Sequence, residues 1–120
     1  MKKKRKKKTN TQSRLVLSRI GFPCPCCGEV LAADSGQSQY ATLEHIVPLD
    51  HGGSNEPHNL DVICNLCNSA RNTVKQHFEN KHRHIPKEYW QESLRLPGSI
   101  FNIDRYFSEY HTIFLKARFG

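Results

Sequence analysis

The chain has 120 residues, a formal net charge of +7 and five cysteines. That length makes one domain with a modest core that profits from a metal staple, and no apolar run approaches the roughly 20 residues of a membrane-spanning helix. No signal peptide is read at the start, so a reducing compartment is expected, where paired Cys-x-x-Cys motifs indicate metal rather than disulfides.

The charge is unevenly spread. Residues 2–8 (KKKRKKK) hold seven of the basic residues, leaving eleven basic and eleven acidic residues in the remainder. Residues 1–13 carry no apolar periodicity and are expected to form a disordered tail. In it Lys2, Lys3, Lys4, Arg5, Lys6, Lys7 and Lys8 can neutralise the phosphates of a polyanion. From Ile20 to Ala70 there is no Lys or Arg at all. The middle of the chain is therefore suited to holding cations, and the flanks to gripping a polyanion.

Residues 14–20 (RLVLSRI) fit a short strand or a helical turn equally well. Cys24 and Cys27 form a first knuckle, with Gly28 placed where a tight turn needs a permissive backbone. Cys26, between them, is expected to point away as a spare thiol. Glu29 to Ala33 is a half-apolar piece before a turn-rich stretch at 34–38. Ala41 to Val47 reads as a strand ended by Pro48, Leu49 to Asn59 as an irregular loop, and Leu60 to Ile63 as a second strand. A helix is expected from Asn65 to about Asn80. Beyond it, Pro86 opens a helix carrying Tyr89, Trp90 and Leu94. Ser99 caps a last one, whose stripe of Ile100, Ile103, Phe107, Tyr110 and Phe114 packs on the domain's own core.

Cys24, Cys27, Cys64 and Cys67 make a closed four-thiolate set, the donor set of a structural zinc. In a domain this small the metal would contribute much of the folding free energy. His45 suits a general base, a task for which imidazole is the usual side chain, and Glu44 and Asn68 offer oxygen ligands of the kind Mg2+ accepts. Adjacent strand residues face opposite ways, so Glu44 and His45 can serve one site only if the strand bends or ends there. His51 and His58 in the loop read as solvated, and His77, His82 and His84 as phosphate or solvent contacts.

The ordered set of knuckle, Glu44-His45-Ile46-Val47-Pro48-Leu49, Gly52-Gly53, Asn59-Leu60 and Cys64 to Asn68 resembles the HNH nucleases. These are the His-Me finger (ββα-metal) endonucleases that carry an added structural zinc, and the likeness covers roughly residues 22–75. It implies an α+β fold with a ββα-metal core stapled by zinc, and together with the local signals past residue 80 this gives a nuclease core at 14–80 and a helical extension packed on it at 81–120. It further implies that Glu44 and Asn68 hold a catalytic Mg2+ or Mn2+, that His45 is the base, and that Asn59 pins the loop and orients the imidazole. Arg71 stands where many members have Lys. With Lys75, Lys81, Arg83 and Lys87 it is read as a phosphate contact.

The expected activity is hydrolysis of DNA phosphodiester bonds, leaving 5′-phosphate and 3′-hydroxyl ends, in the cytoplasm of a bacterial or phage-infected cell. A lone hydrolytic centre cuts one strand per event, so its partners beyond DNA would be a second copy or another phage or bacterial DNA-processing protein. The competing reading is a catalytically inactive zinc-containing module that binds nucleic acid through its basic flanks.

Overall fold

A computed structural model describes residues 10–85, 87–92 and 105–120. Two strands, β1 (Ala41–His45) and β2 (Leu60–Cys64), pair antiparallel with Ala41 opposite Cys64 and His45 opposite Leu60. The helix α2 (Asn65–Asn80) follows β2 without a break, giving the strand, loop, strand, helix order expected of a ββα core. Preceding the sheet is α1 (Asn10–Arg19), and following the core are α3 (Lys87–Glu92) and α4 (Arg105–Phe119). No helix among the described residues is long and apolar enough to cross a membrane.

Helix α2 forms because its apolar positions recur at helical spacing. Cys67, Ala70, Arg71, Val74 and Phe78 are its buried residues, one stripe along one face. Its C-terminus closes by a Schellman turn: Arg83 N–H bonds Phe78 O at 2.9 Å and His82 N–H bonds Glu79 O at 2.9 Å. His82 supplies the left-handed residue (φ 53°) that glycine more commonly provides. Helix α1 lies against both strands and α4 against α2, so the sheet and α2 are covered from both ends of the chain. The core joins Val62, Ile63, Val74 and Phe78 of the ββα unit to Trp90 of α3 and to Tyr110 and Phe114 of α4. Trp90 and Tyr110 meet edge to face at 5.5 Å.

Three expectations change. Residues 14–19 belong to a helix that starts at Asn10, inside the stretch read as tail, while residues 1–9 lie outside the described residues. The first strand stops at His45 rather than Val47, because the backbone beyond it is claimed by Asn59. Ile46 N–H bonds Asn59 O at 2.8 Å, Val47 N–H bonds Asn59 Oδ1 at 2.9 Å, and Asn59 Nδ2 donates to Val47 O at 3.0 Å. The loop 49–59 also contains two single 3-10 turns, Leu49–His51 and Pro57–Asn59. Ser99 and the first part of the last apolar stripe fall outside the described residues.

Asn59 is buried at 5% exposure, and its amide also donates to Ser54 O at 2.8 Å. Gly53 fits beside it only without a side chain, since a Cβ there would stand 1.8 Å from Val47 O. Asn59→Ala strands buried backbone groups at Val47 and is expected to cost about 2–4 kcal/mol. Gly53→Ala is expected to lower the urea midpoint as well, and denaturation followed by circular dichroism checks both.

Candidate active site and metal centre

The first knuckle turns as its sequence requires. Gly28 sits at φ 82°, and its N–H bonds Cys24 O at 2.8 Å, bringing Cys24 and Cys27 together. The second knuckle straddles the β2–α2 junction. Cys64 caps α2, its sulfur accepting Cys67 N–H at 3.4 Å, while Cys64 N–H points at Cys24 Sγ at 3.4 Å. The four sulfurs all lie within 4.8 Å of one another. A tetrahedral Zn–S bond of about 2.3 Å sets an S···S edge of about 3.8 Å, and Cys27 and Cys64 are separated by 3.8 Å.

The protonation chemistry of the thiols fits the same ion. The thiols of Cys26, Cys64 and Cys67 pull Cys24 well below its ordinary value, while contact with Cys24 pushes Cys64 up to about 11 and Cys67 far higher. One sulfur ionises at its neighbours' expense, a conflict that a divalent cation among them removes. The four-cysteine cluster is thus suited to a structural zinc. Cys26 does not point away: it is fully buried and hydrogen-bonds Cys24 and Cys67 behind the knuckle. The contact with Cys24, with burial, holds it as a thiol.

Where β1 ends, a cleft of about 230 Å³ opens, and Glu44, His45, Asn68, Arg71, Lys75 and Trp90 are among its walls. His45 is the last strand residue and the chain bends at Ile46, so Glu44 and His45 reach one cleft despite being neighbours. Asn68 Nδ2 donates to Thr42 Oγ1 at 3.0 Å, which leaves Oδ1 as its atom for a cation. Burial pushes the Glu44 carboxyl above its ordinary value despite the neighbouring Arg71 guanidinium, so an added cation is favoured there. The Asn59 side chain bonds the backbone of Val47 and Ser54, and no hydrogen bond joins it to the imidazole of His45 among the described residues. Asn55 bonds the imidazole instead, with its Oδ1 2.7 Å from His45 Nε2. In sequence Asn55 is one polar residue among several in the loop, and nothing in its spacing singles it out.

The basic residues read as phosphate contacts are placed differently from one another. Arg71 is buried at 2% exposure, with Nη1 3.0 Å from Glu44 Oε2 and Nη2 donating to Ile46 O at 2.6 Å and Trp90 O at 3.2 Å. Its guanidinium lies 5.2 Å from the Trp90 ring centroid. The expected phosphate contact is therefore corrected, because the guanidinium is buried and its terminal nitrogens are taken by Glu44, Ile46 and Trp90. Lys75 bonds Asp50 at 2.8 Å and Glu79 at 3.2 Å, and so fills the Asp50, His51 and Glu79 cluster with its own ammonium. Arg83 pairs with Glu109 at 2.8 Å, whereas Lys81 and Lys87 are exposed, with no ion pair among the described residues. Lys2 to Lys8 lie outside those residues. A surface phosphate ligand can be removed at little cost, but a buried ion-pair partner cannot. Arg71→Ala is expected to destabilise the fold by about 3–5 kcal/mol, with Arg71→Lys rescuing little because an ammonium lacks the planar fork. Chemical denaturation of the three proteins measures this.

Comparison with protein families bears on the same segment. Residues 24–73, from the first cysteine of the zinc cluster to two residues beyond Arg71, match a family described as HNH endonuclease. No curated protein and no solved structure matched the chain. The ββα order, the four-cysteine cluster and the match to the HNH endonuclease family thus coincide on one segment, residues 24–73, and the architecture is consistent with an HNH ββα-metal fold.

Proposed function

We propose that the chain is a metal-dependent endonuclease that hydrolyses DNA phosphodiester bonds. The observation that carries this reading is that Glu44, His45 and Asn68, three residues of complementary chemistry, line one cleft. Asn55 Oδ1 can only accept, so Nε2 of His45 carries the proton of their hydrogen bond and Nδ1 keeps its lone pair. That nitrogen is the general base that takes a proton from water. Asn59 acts one step further away, holding the loop that presents Asn55. Glu44 and Asn68 would hold Mg2+ or Mn2+, which when bound neutralises charge developing on the phosphate and leaving oxygens. Arg71 positions Glu44 from beneath and keeps the strand end in place.

Grip on DNA is assigned to Lys81 and Lys87, exposed and without an ion pair among the described residues, and to the basic Lys2–Lys8 run of the sequence, with Lys75 and Arg83 contributing only where phosphate displaces their carboxylates. Arg71 also supports the second reading, an inactive zinc-containing module that binds nucleic acid. Its guanidinium already neutralises Glu44 without an added cation.

Cleavage of supercoiled plasmid by zinc-loaded protein separates the two. Nicking is expected only with Mg2+ or Mn2+, and His45→Ala should lower it by roughly 100-fold or more with folding and DNA binding retained. Asn55→Ala should lower the rate by about 10- to 100-fold, because a misplaced base keeps its chemistry and loses its geometry. If neither plasmid nor mixed genomic DNA is cut with any metal, while a salt-sensitive gel shift persists, the binding module is the correct reading.

A further inference from the structure

We propose that Arg118 is an outer clamp on the four-cysteine zinc site, through which metal loading and the docking of α4 on α2 reinforce each other. This rests on zinc occupying the cysteine cluster and is independent of the nuclease reading. Arg118 Nε lies 3.3 Å from Cys67 Sγ, and its Nη2 lies 3.5 Å from Cys27 Sγ and 4.0 Å from Cys64 Sγ. One guanidinium therefore reaches both knuckles, touching three of the four sulfurs. Cys24, the fourth, is buried and already takes the Cys64 N–H.

The sequence of α4 delivers this contact. Tyr110 and Phe114, both buried, and Arg118 recur at four-residue steps and so share one face of the helix. The apolar stripe that seats α4 on α2 ends in a cation aimed at the thiolates. The Phe119 ring lies 4.7 Å from the guanidinium carbon and packs beside it.

The electrostatic need for such a group follows from the ligand set. Four thiolates around one Zn2+ leave two net negative charges in a largely buried site. Cys27 is the only one of the four not fully buried, and Arg118 lies against it. A guanidinium there offsets one of those charges, donates to the sulfurs and covers the exposed edge through which a competing ligand would attack. Outer-shell donors of this kind typically change metal affinity by about 10–100-fold.

The test is zinc transfer from the loaded protein to a chromophoric chelator at neutral pH, with hydrogen exchange of the α4 amides read on the same loaded samples. Arg118→Ala should release zinc about 10-fold faster or more and lose protection in α4. Arg118→Lys should fall between, since an ammonium cannot span both knuckles. Lys116→Ala removes an equal charge from the same helix away from the sulfurs, and should release zinc as the wild type does. If Arg118→Ala does not fold, Arg118→Gln, which keeps most of the stem, is judged by the same rate. The proposal is overturned if the Arg118 variant releases zinc at the wild-type rate, if Lys116→Ala accelerates release equally, or if the wild-type protein takes up no zinc.

Discussion

Four sulfur atoms within 4.8 Å of one another cannot all ionise unless a cation sits among them, and this cluster fixes most of the surrounding geometry. Cys64 is at once the last residue of β2, the cap of α2 and a member of the cluster. The metal site therefore sets the junction from which both elements run. Asn68 follows Cys67 directly on α2, so its place is set within one residue of the cluster. Glu44 is reached through the sheet register, in which Ala41 faces Cys64 and Glu44 faces Asp61. Structural and candidate catalytic metal sites share one scaffold, and loss of the first would disorder the second without touching any of its ligands.

The second constraint is the buried guanidinium of Arg71. It lies one helical turn beyond Cys67 on the buried face of α2 and hydrogen-bonds the carbonyls of Ile46 and Trp90 while pairing with Glu44. A buried charge is expensive unless its donors are used, and here the carbonyls, the carboxylate and the Trp90 ring together compensate it. Because Trp90 comes from α3 and packs on Tyr110 of α4, the residues after the core do more than cover it. They close the floor of the cleft. His51, from the loop, packs edge-on against the same Trp90 ring at 5.8 Å, so loop, helix and C-terminal segment converge on one indole.

The parts that were legible from sequence were those with a rigid spacing rule. Two Cys-x-x-Cys pairs and the strand, loop, strand, helix order each carry their geometry in the chain, and the fold agrees, although the first strand ends two residues before the point its sequence suggests. What could not be read were contacts between segments with no shared period. Arg71 resembles a surface cation in sequence because Lys and Arg usually are, and contacts with Glu44, Ile46 and Trp90, the last 19 residues away, make it a core residue. Asn55 was one loop residue among several, distinguished only by the bend that brings it to His45. Arg118 lies 51 residues from Cys67. Cys26 was taken for a spare thiol because metal spacing excludes it, whereas burial behind the knuckle makes it part of the cluster's surroundings.

Charge placement ties these observations to function. No Lys or Arg occurs between Ile20 and Ala70, and the next cations are largely consumed inside the fold: Arg71 by Glu44, Lys75 by Asp50 and Glu79, Arg83 by Glu109. On the proposed nuclease reading, attraction for a polyanion would come from exposed cations outside the cleft and from the Lys2–Lys8 run. Affinity would then be strongly salt-dependent and insensitive to the cleft, whereas chemistry would depend on a cation that the cleft lacks among its own available side chains. On the same reading, a cation beside Glu44 would add to the neutralisation that Arg71 supplies and lower the charge a phosphate meets there, so metal and substrate are expected to bind the cleft cooperatively.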